Sequence, residues 1–389
     1  MIDFRPARED DLEQVAALRW EAFRLPTKSP FWLDGSGFVA VDGDRVLATG
    51  RLVPAAQFFG GKSIPSMVLR SVSVNLTARE TGLGTELMHW LFQRVVASGA
   101  PISTVYPSTR GFYRKFGYQI AGAYTVHRAP VASAPSVRGV DLDTWDSGAF
   151  AEVSECYRCF AAGQNGLIDR PDLWWQEHDL IPGQHQELVY GFLCRNQDQV
   201  TGYLSYSQET VPREHVTNYN LRVRDFVWRD IDAARALLTL VARNRQDGLN
   251  VVWPGAANEP LERAFPESKI SAFYHEPWMI RIVDVEQALS MRGYPVSVER
   301  SVDFTVTDDL LESNNGAFRL EVSAGIGIVT RVDTARLSLD VRSLASLFTG
   351  WFTPQDLLRT GELTGATEHD VALLGEVFGG SKPWVMDAF

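Results

Sequence analysis

The chain has 389 residues, 45% of them hydrophobic, and its 48 acidic side chains against 37 basic ones give a net charge of −11. That length predicts two or three domains with cores of their own, and the negative field works against nucleic-acid binding while favouring encounter with cationic partners. No run of 18 apolar residues and no cationic leader ahead of an apolar run is present, so a soluble cytoplasmic protein without membrane insertion is expected.

A strand at 2–5 precedes a helix over about 10–23, on which Leu12, Val15, Ala16 and Trp20 are read as one packing face. An irregular stretch follows over 24–36, carrying Phe31 and Trp32. Asp42-Gly43-Asp44 and Gly60-Gly61 then punctuate three antiparallel strands at 37–42, 45–59 and 62–74. The third strand, ending Val72-Ser73-Val74, runs into Arg79-Glu80-Thr81-Gly82-Leu83-Gly84 and a helix over 82–97. A strand that enters a helix through a two-glycine turn presents unpaired amides, a nest suited to a diphosphate. The spacing is not that of a Rossmann fingerprint, and the Lys-Ser/Thr pair of a P-loop is missing. A strand at 101–106, the block Gly111-Phe112-Tyr113-Arg114-Lys115-Phe116-Gly117-Tyr118 as a short helix, and a strand at 119–127 complete the first module.

Arg79-x-x-Gly-x-Gly resembles the coenzyme A pyrophosphate loop of the GNAT superfamily of N-acetyltransferases, and the Phe112-Tyr113 block resembles a second element of the same superfamily, in which the tyrosine faces the thioester sulfur. The element order agrees with that arrangement.

Residues 128–136, with Pro130 and Pro135, read as a connector. Beyond a helix at 148–162, strands at 187–194, 199–207 and 215–227, a helix over 230–244, a strand at 250–253, a short helix near Pro260 and a strand at 272–282 repeat the first topology. Here strand passes to helix through Trp228-Arg229-Asp230 with no glycine, and Asp230 reads as the N-cap, so this module is expected to bind no coenzyme. Cys156 and Cys159 share one helical face and read as core or boundary residues, while the seven histidines show no ligand spacing, so no metal is expected. A short helix capped by Asp284 and Gln287 precedes the third region, which begins near Met291. Strands at 299–306, 316–322, 326–331 and 336–341 follow, then helices from Pro354 and over 368–378.

As a whole the chain resembles the enhanced intracellular survival (Eis) type N-acetyltransferases. The resemblance implies an α/β and α+β fold of two tandem GNAT-like modules and a small sterol-carrier-protein-like domain: a catalytic domain at 1–130, a degenerate copy at 131–290 and the tail domain at 291–389. It implies acetyl-CoA as cosubstrate, held along Val72, Ser73, Val74, Arg79, Glu80, Thr81, Gly82, Leu83, Gly84 and Thr85, with Val72 and Val74 offering backbone groups. Tyr113 would be the general acid, and the Phe389 α-carboxylate, brought back by the tail 382–388, the general base; Asp387 is an alternative carboxylate. The chain departs from the family pattern at Asn75, where proline is usual, and at Glu80, a negative charge near the expected phosphates.

The implied acceptor is a primary amine of an aminoglycoside, a polyamine or a lysine side chain, beneath a roof to which Phe31 and Trp32 contribute unless they fill a subunit contact. A homo-oligomer, a hexamer in the family, is implied as well. The alternatives are transfer to a nonpolar amine and a non-catalytic acetyl-CoA-binding or lipid-binding regulatory protein.

Overall fold

A computed structural model describes residues 2–24, 30–178, 180–183, 188–212, 217–265 and 269–387. The first module comprises β1 (Asp3–Pro6), α1 (Leu12–Phe23), β2 (Gly37–Asp42), β3 (Arg45–Phe59), β4 (Lys62–Val74), α2 (Leu83–Ala97), β5 (Ile102–Val105), α3 (Arg110–Arg114) and β6 (Gln119–Pro130). Next come β7 (Asp143–Thr144), α4 (Phe150–Ala162), β8 (Ile168–Asp169) and α5 (Asp172–Glu177). The second meander is β9 (Val189–Asn196), β10 (Gln199–Pro212), β11 (Thr217–Trp228), α6 (Ile231–Arg243), β12 (Gly248–Gly255) and β13 (Ser271–Ile282).

These strands share one sheet in the order β1-β2-β3-β4-β5-β13-β6-β12-β11-β10-β9-β7, with β8 on the edge of β3. The last strands of the two modules are therefore exchanged. β13 lies antiparallel between β5 and β6, with Met279 opposite Val105 and Trp278 opposite Gly122, while β6 crosses to β12. The expected connector at 128–136 is a correction that follows from this exchange. β6 continues to Pro130 to pair with β12, and Ala129 and Val131 are fully buried in the second core.

Each helix covers its sheet with one stripe. On α2, Leu83, Leu87, Leu91 and Val95 recur every four residues and are buried together with Leu52 and Leu69 beneath them. On α1, Val15 and Leu18 face the core, but Trp20 is 50% exposed under the guanidinium of Arg24, so its reading as a packing residue is overturned. Two positions past Leu18 is about 200° around a helix of 3.6 residues per turn, which puts Trp20 on the far side. Trp32 instead fills that core beside Val15, Val39 and Val46 and roofs nothing.

The third region holds α7 (Val285–Met291), β14 (Arg300–Thr307), β15 (Gly316–Ser323), β16 (Ile326–Val332), β17 (Leu337–Asp340), α8 (Val341–Thr349), α9 (Pro354–Arg359), β18 (Leu363–Thr364) and α10 (Glu368–Val377). Its sheet runs β16-β15-β14-β17-β18. Asp284, read from the sequence as a cap, accepts from the Gln287 amide, and the helix read from Pro354 starts with that proline in its first turn, the Thr353 side chain accepting from the Asp356 amide. Helix α8, absent from the sequence reading, is buried along its length and hydrogen-bonds the large sheet, Ser346 Oγ donating to the Ile120 carbonyl.

Candidate active site

The candidate site opens where β4 and β5 part. Their parallel pairing runs from Ser66 opposite Ile102 to Leu69 opposite Val105 and then stops. The cause is a bulge: between the pairs Thr49–Ser73 and Arg51–Arg70, Gly50 alone faces Ser71 and Val72. Ser71 takes φ +51°, and the Thr49 hydroxyl pins the bulge through the Ser71 carbonyl (3.1 Å) and the Ser73 hydroxyl (2.9 Å). The split strands enclose a cavity of about 480 Å³ between Arg70, Ser71 and Val72 on one side and Tyr106 and Tyr113 on the other.

At the outer end of β4 the chain turns through the residues singled out in the sequence. Asn75 caps a 3-10 turn by accepting from the Thr77 amide, and Thr81 Oγ1 donates to the Ala78 carbonyl. Glu80 sits exposed at φ +64°, and Gly82, at φ +95°, caps α2 with no side chain over the first-turn amides. A Cβ added to Gly82 would meet nothing within 4 Å, so the approach to those amides is clear. A helix start that is open, uncapped and reached through left-handed backbone suits an anion. Ser73 and Leu83 point their side chains inward, to Thr49 and to the α2 core, so only their backbones face a ligand, while Thr85 is exposed and its amide bonds the Gly82 carbonyl. Gly84 lies against Val74, 3.4 Å from where its Cβ would stand. Arg79 donates from Nε to the Val74 carbonyl (3.1 Å) and its exposed guanidinium lies 3.5 Å from the half-buried Glu21.

Tyr113 stands on α3 with its ring edge-on to Phe112 and Tyr118, and it lines the cavity. Burial, reinforced by Tyr118, pushes its phenol well above the usual range, so it holds its proton throughout the neutral region.

Residues 3–121 match the Acetyltransferase (GNAT) domain, residues 166–282 a second Acetyltransferase (GNAT) domain, and residues 285–386 the Sterol carrier protein domain. N-acetyltransferase Eis of Mycobacterium tuberculosis is 27% identical over 351 residues, 84% of this chain and 81% of that protein. An uncharacterized N-acetyltransferase of Streptomyces coelicolor is 25% identical over 85% of this chain and 82% of its own length. A GCN5-related N-acetyltransferase from Anabaena variabilis superposes with a TM-score of 0.90 at 28% identity, covering all of both chains. The chain is an N-acetyltransferase of the GNAT superfamily, of the Eis type. Its fold is accordingly two GNAT domains followed by a sterol-carrier-protein-like domain.

The C-terminal tail of this Eis-type chain returns to the large sheet. The Trp384 amide donates to the Asn165 carbonyl (3.0 Å) and the Val385 amide to the Ala123 carbonyl (3.1 Å). Asp387 is buried, its carboxylate taking Arg170 Nε and Nη2 at 3.1 and 2.8 Å, while Arg170 Nη1 reaches Asp225 at 2.6 Å and Tyr203 donates to the same Asp225 oxygen. The reading of Asp387 as an alternative base is thus corrected, because both its oxygens are committed to a guanidinium. Phe389 lies outside the described residues.

Several cavity residues carried no signal in the sequence. Arg70 lies over the Trp174 ring and pairs with Glu177 at 3.1 Å; Arg51 shares that carboxylate. Burial draws Arg70 down to about 10, still cationic at neutral pH. Tyr274 and Glu276, on the exchanged strand β13, close the far wall, the Tyr274 hydroxyl 3.2 Å from that of Tyr106. They come from the second module, so no motif local to the first could have shown them. Among the described residues no group of three histidine, cysteine or carboxylate side chains is placed to hold a metal, and no helix is long and apolar enough to cross a membrane.

Proposed function

We propose that the first module transfers acetyl from acetyl-CoA to a primary amine of a cationic acceptor, an aminoglycoside, polyamine or lysine side chain. The observations that carry this reading are two, the uncapped start of α2 at Gly82 and the cavity beside the Ser71 bulge that Tyr113 lines, with the strand end Val72–Val74 between them in the chain. The amides of α2 would hold the diphosphate, joined by Arg79 once it leaves Glu21, and the bulged edge Val72–Val74 would pair with the amide-bearing arm of the cosubstrate.

The acceptor arrives as an ammonium and must shed a proton before its nitrogen attacks. In the family the chain terminus supplies this base, here the Phe389 carboxylate. What supports that role is the anchor just before it, where the Asp387 carboxylate is held on Arg170. Glu276 offers a second negative charge to the ammonium from the opposite wall. Attack forms the carbon–nitrogen bond and puts charge on the carbonyl oxygen, which the Val74 amide at the end of the bulged strand would stabilise. The carbon–sulfur bond then breaks, giving amide and thiol with one net proton released from the ammonium.

Magnitudes refine the part played by Tyr113. A thiol titrates near about 8.5 and a free phenol near about 10, and burial carries Tyr113 higher still. Full proton transfer to the thiolate would run uphill. The phenol therefore acts by donating a hydrogen bond to sulfur as its charge develops, and solvent or the released acceptor proton completes the thiol. Assembly into hexamers belongs to this reading through the family alone and is checked by sedimentation. Thiol release from acetyl-CoA on addition of tobramycin, spermine or a lysine peptide tests the proposal, and silence with every amine alongside tight coenzyme binding would replace it with a sensor.

A further inference from the structure

The second module keeps the cleft although it lacks the glycine turn. β11 carries its own bulge, with Arg224 extra between the pairs Ser205–Asp225 and Tyr206–Val223. Its parallel pairing with β12 ends at Arg222 opposite Val252. Beyond that point the strands part around a cavity of about 310 Å³, the counterpart of the one beside Tyr113. Nothing in the proposed transfer uses it.

Its walls have a distinct chemistry. Phe160, Phe226, Trp228, Trp253 and Trp384 surround it, and Glu259 is the carboxylate among them. Glu259 accepts from the Leu261 amide at 3.0 Å and from the Ala256 amide, and no arginine or lysine among the described residues forms an ion pair with it. Burial pushes that carboxyl up to about 7, as expected where a cation is missing. Arg229 also borders the cavity but is exposed at its mouth, where solvent screens it.

We propose that this cleft is a second binding site, one that takes an organic ammonium with an apolar or aromatic body, its charge on Glu259 and its body between the indoles. Indole faces attract a cation through their quadrupole, and a desolvated carboxylate is its natural counter-charge. The site is separate from the acetyl-transfer cavity and stands whether or not that reading holds. One wall, Trp384, belongs to the tail anchored at Asp387, with its indole N–H donating to Gln164 at 3.2 Å.

Cys159 provides a local reporter. Its thiol borders the cavity and is exposed, whereas Cys156 and Cys194 are buried. The full-length protein is alkylated with N-ethylmaleimide in the presence of increasing phenethylammonium, and the rate at each cysteine is followed by mass spectrometry. Saturable protection of Cys159 is expected in the wild type and in Tyr113→Phe, with an apparent affinity roughly tenfold weaker in Glu259→Gln, the loss typical of a charge-assisted contact. Ala256→Leu, which fills the cavity from its wall, should abolish protection while Cys156 and Cys194 stay slow, showing an intact fold. Absence of saturable protection, or protection equal in the wild type, Glu259→Gln and Ala256→Leu, overturns the proposal.

Discussion

The two GNAT modules share a cleft and differ at the turn that follows it. In the first, β4 reaches α2 through Gly82 at φ +95° with no side chain over the helix start. In the second, β11 reaches α6 through Asp230, whose carboxylate accepts from the Ala233 amide at 2.7 Å and occupies the place an anion would take. The fold thus supplies a split between two strands in both modules, and the helix start differs between them: open at Gly82 in the first, filled by the Asp230 side chain in the second. The exchanged strands couple the two halves, since β13 lends Tyr274 and Glu276 to the first cavity.

The comparison can be broken most forcefully at Tyr113. Tyr113→Phe removes the proposed hydrogen-bond donor to sulfur and is expected to lower turnover by about a hundredfold, the scale of one donor to a developing charge, with acetyl-CoA affinity unchanged by calorimetry. Arg170→Met leaves Asp225 and Asp387 buried without their counter-charge; a loss of about 3 kcal/mol in denaturant unfolding is expected, together with reduced turnover as the tail loosens. Glu80→Gly removes both a left-handed non-glycine residue and a negative charge beside the expected phosphates, and should tighten acetyl-CoA binding a few-fold.

The smallest effect concerns Glu259. Its folded carboxyl titrates near 7, above the ordinary carboxylate range, so the native state binds the extra proton and stability falls as pH rises towards and through 7. In Glu259→Gln, thermal melts between pH 5 and 8 should lose that part of the decline.

Local chemistry was legible and partner choice was not. The turns at Gly43 and Gly60, the Gly82 helix start and the Asp230 and Thr353 caps each act within a few residues, and the structure holds them where the spacing put them. The exchange of β6 and β13 was hidden because nothing in either strand's own sequence says which neighbour it pairs with. Helix α8 was not read although its period is present, with Val341, Leu344, Ala345 and Phe348 on one side and Arg342, Ser346 and Thr349 on the other. The wall residues Arg70, Tyr106 and Glu276 meet only through that sheet order, which is why the motif located the helix start at Gly82 and left the opposite wall of the cavity blank.

The most direct test is a calorimetric titration of acetyl-CoA into the wild type, Gly82→Val and Asp230→Ala. Binding that disappears in Gly82→Val and is untouched in Asp230→Ala, the latter costing only about 1 kcal/mol of stability for its lost cap, is what the account predicts. Binding that survives Gly82→Val, or that fails in Asp230→Ala, would contradict it.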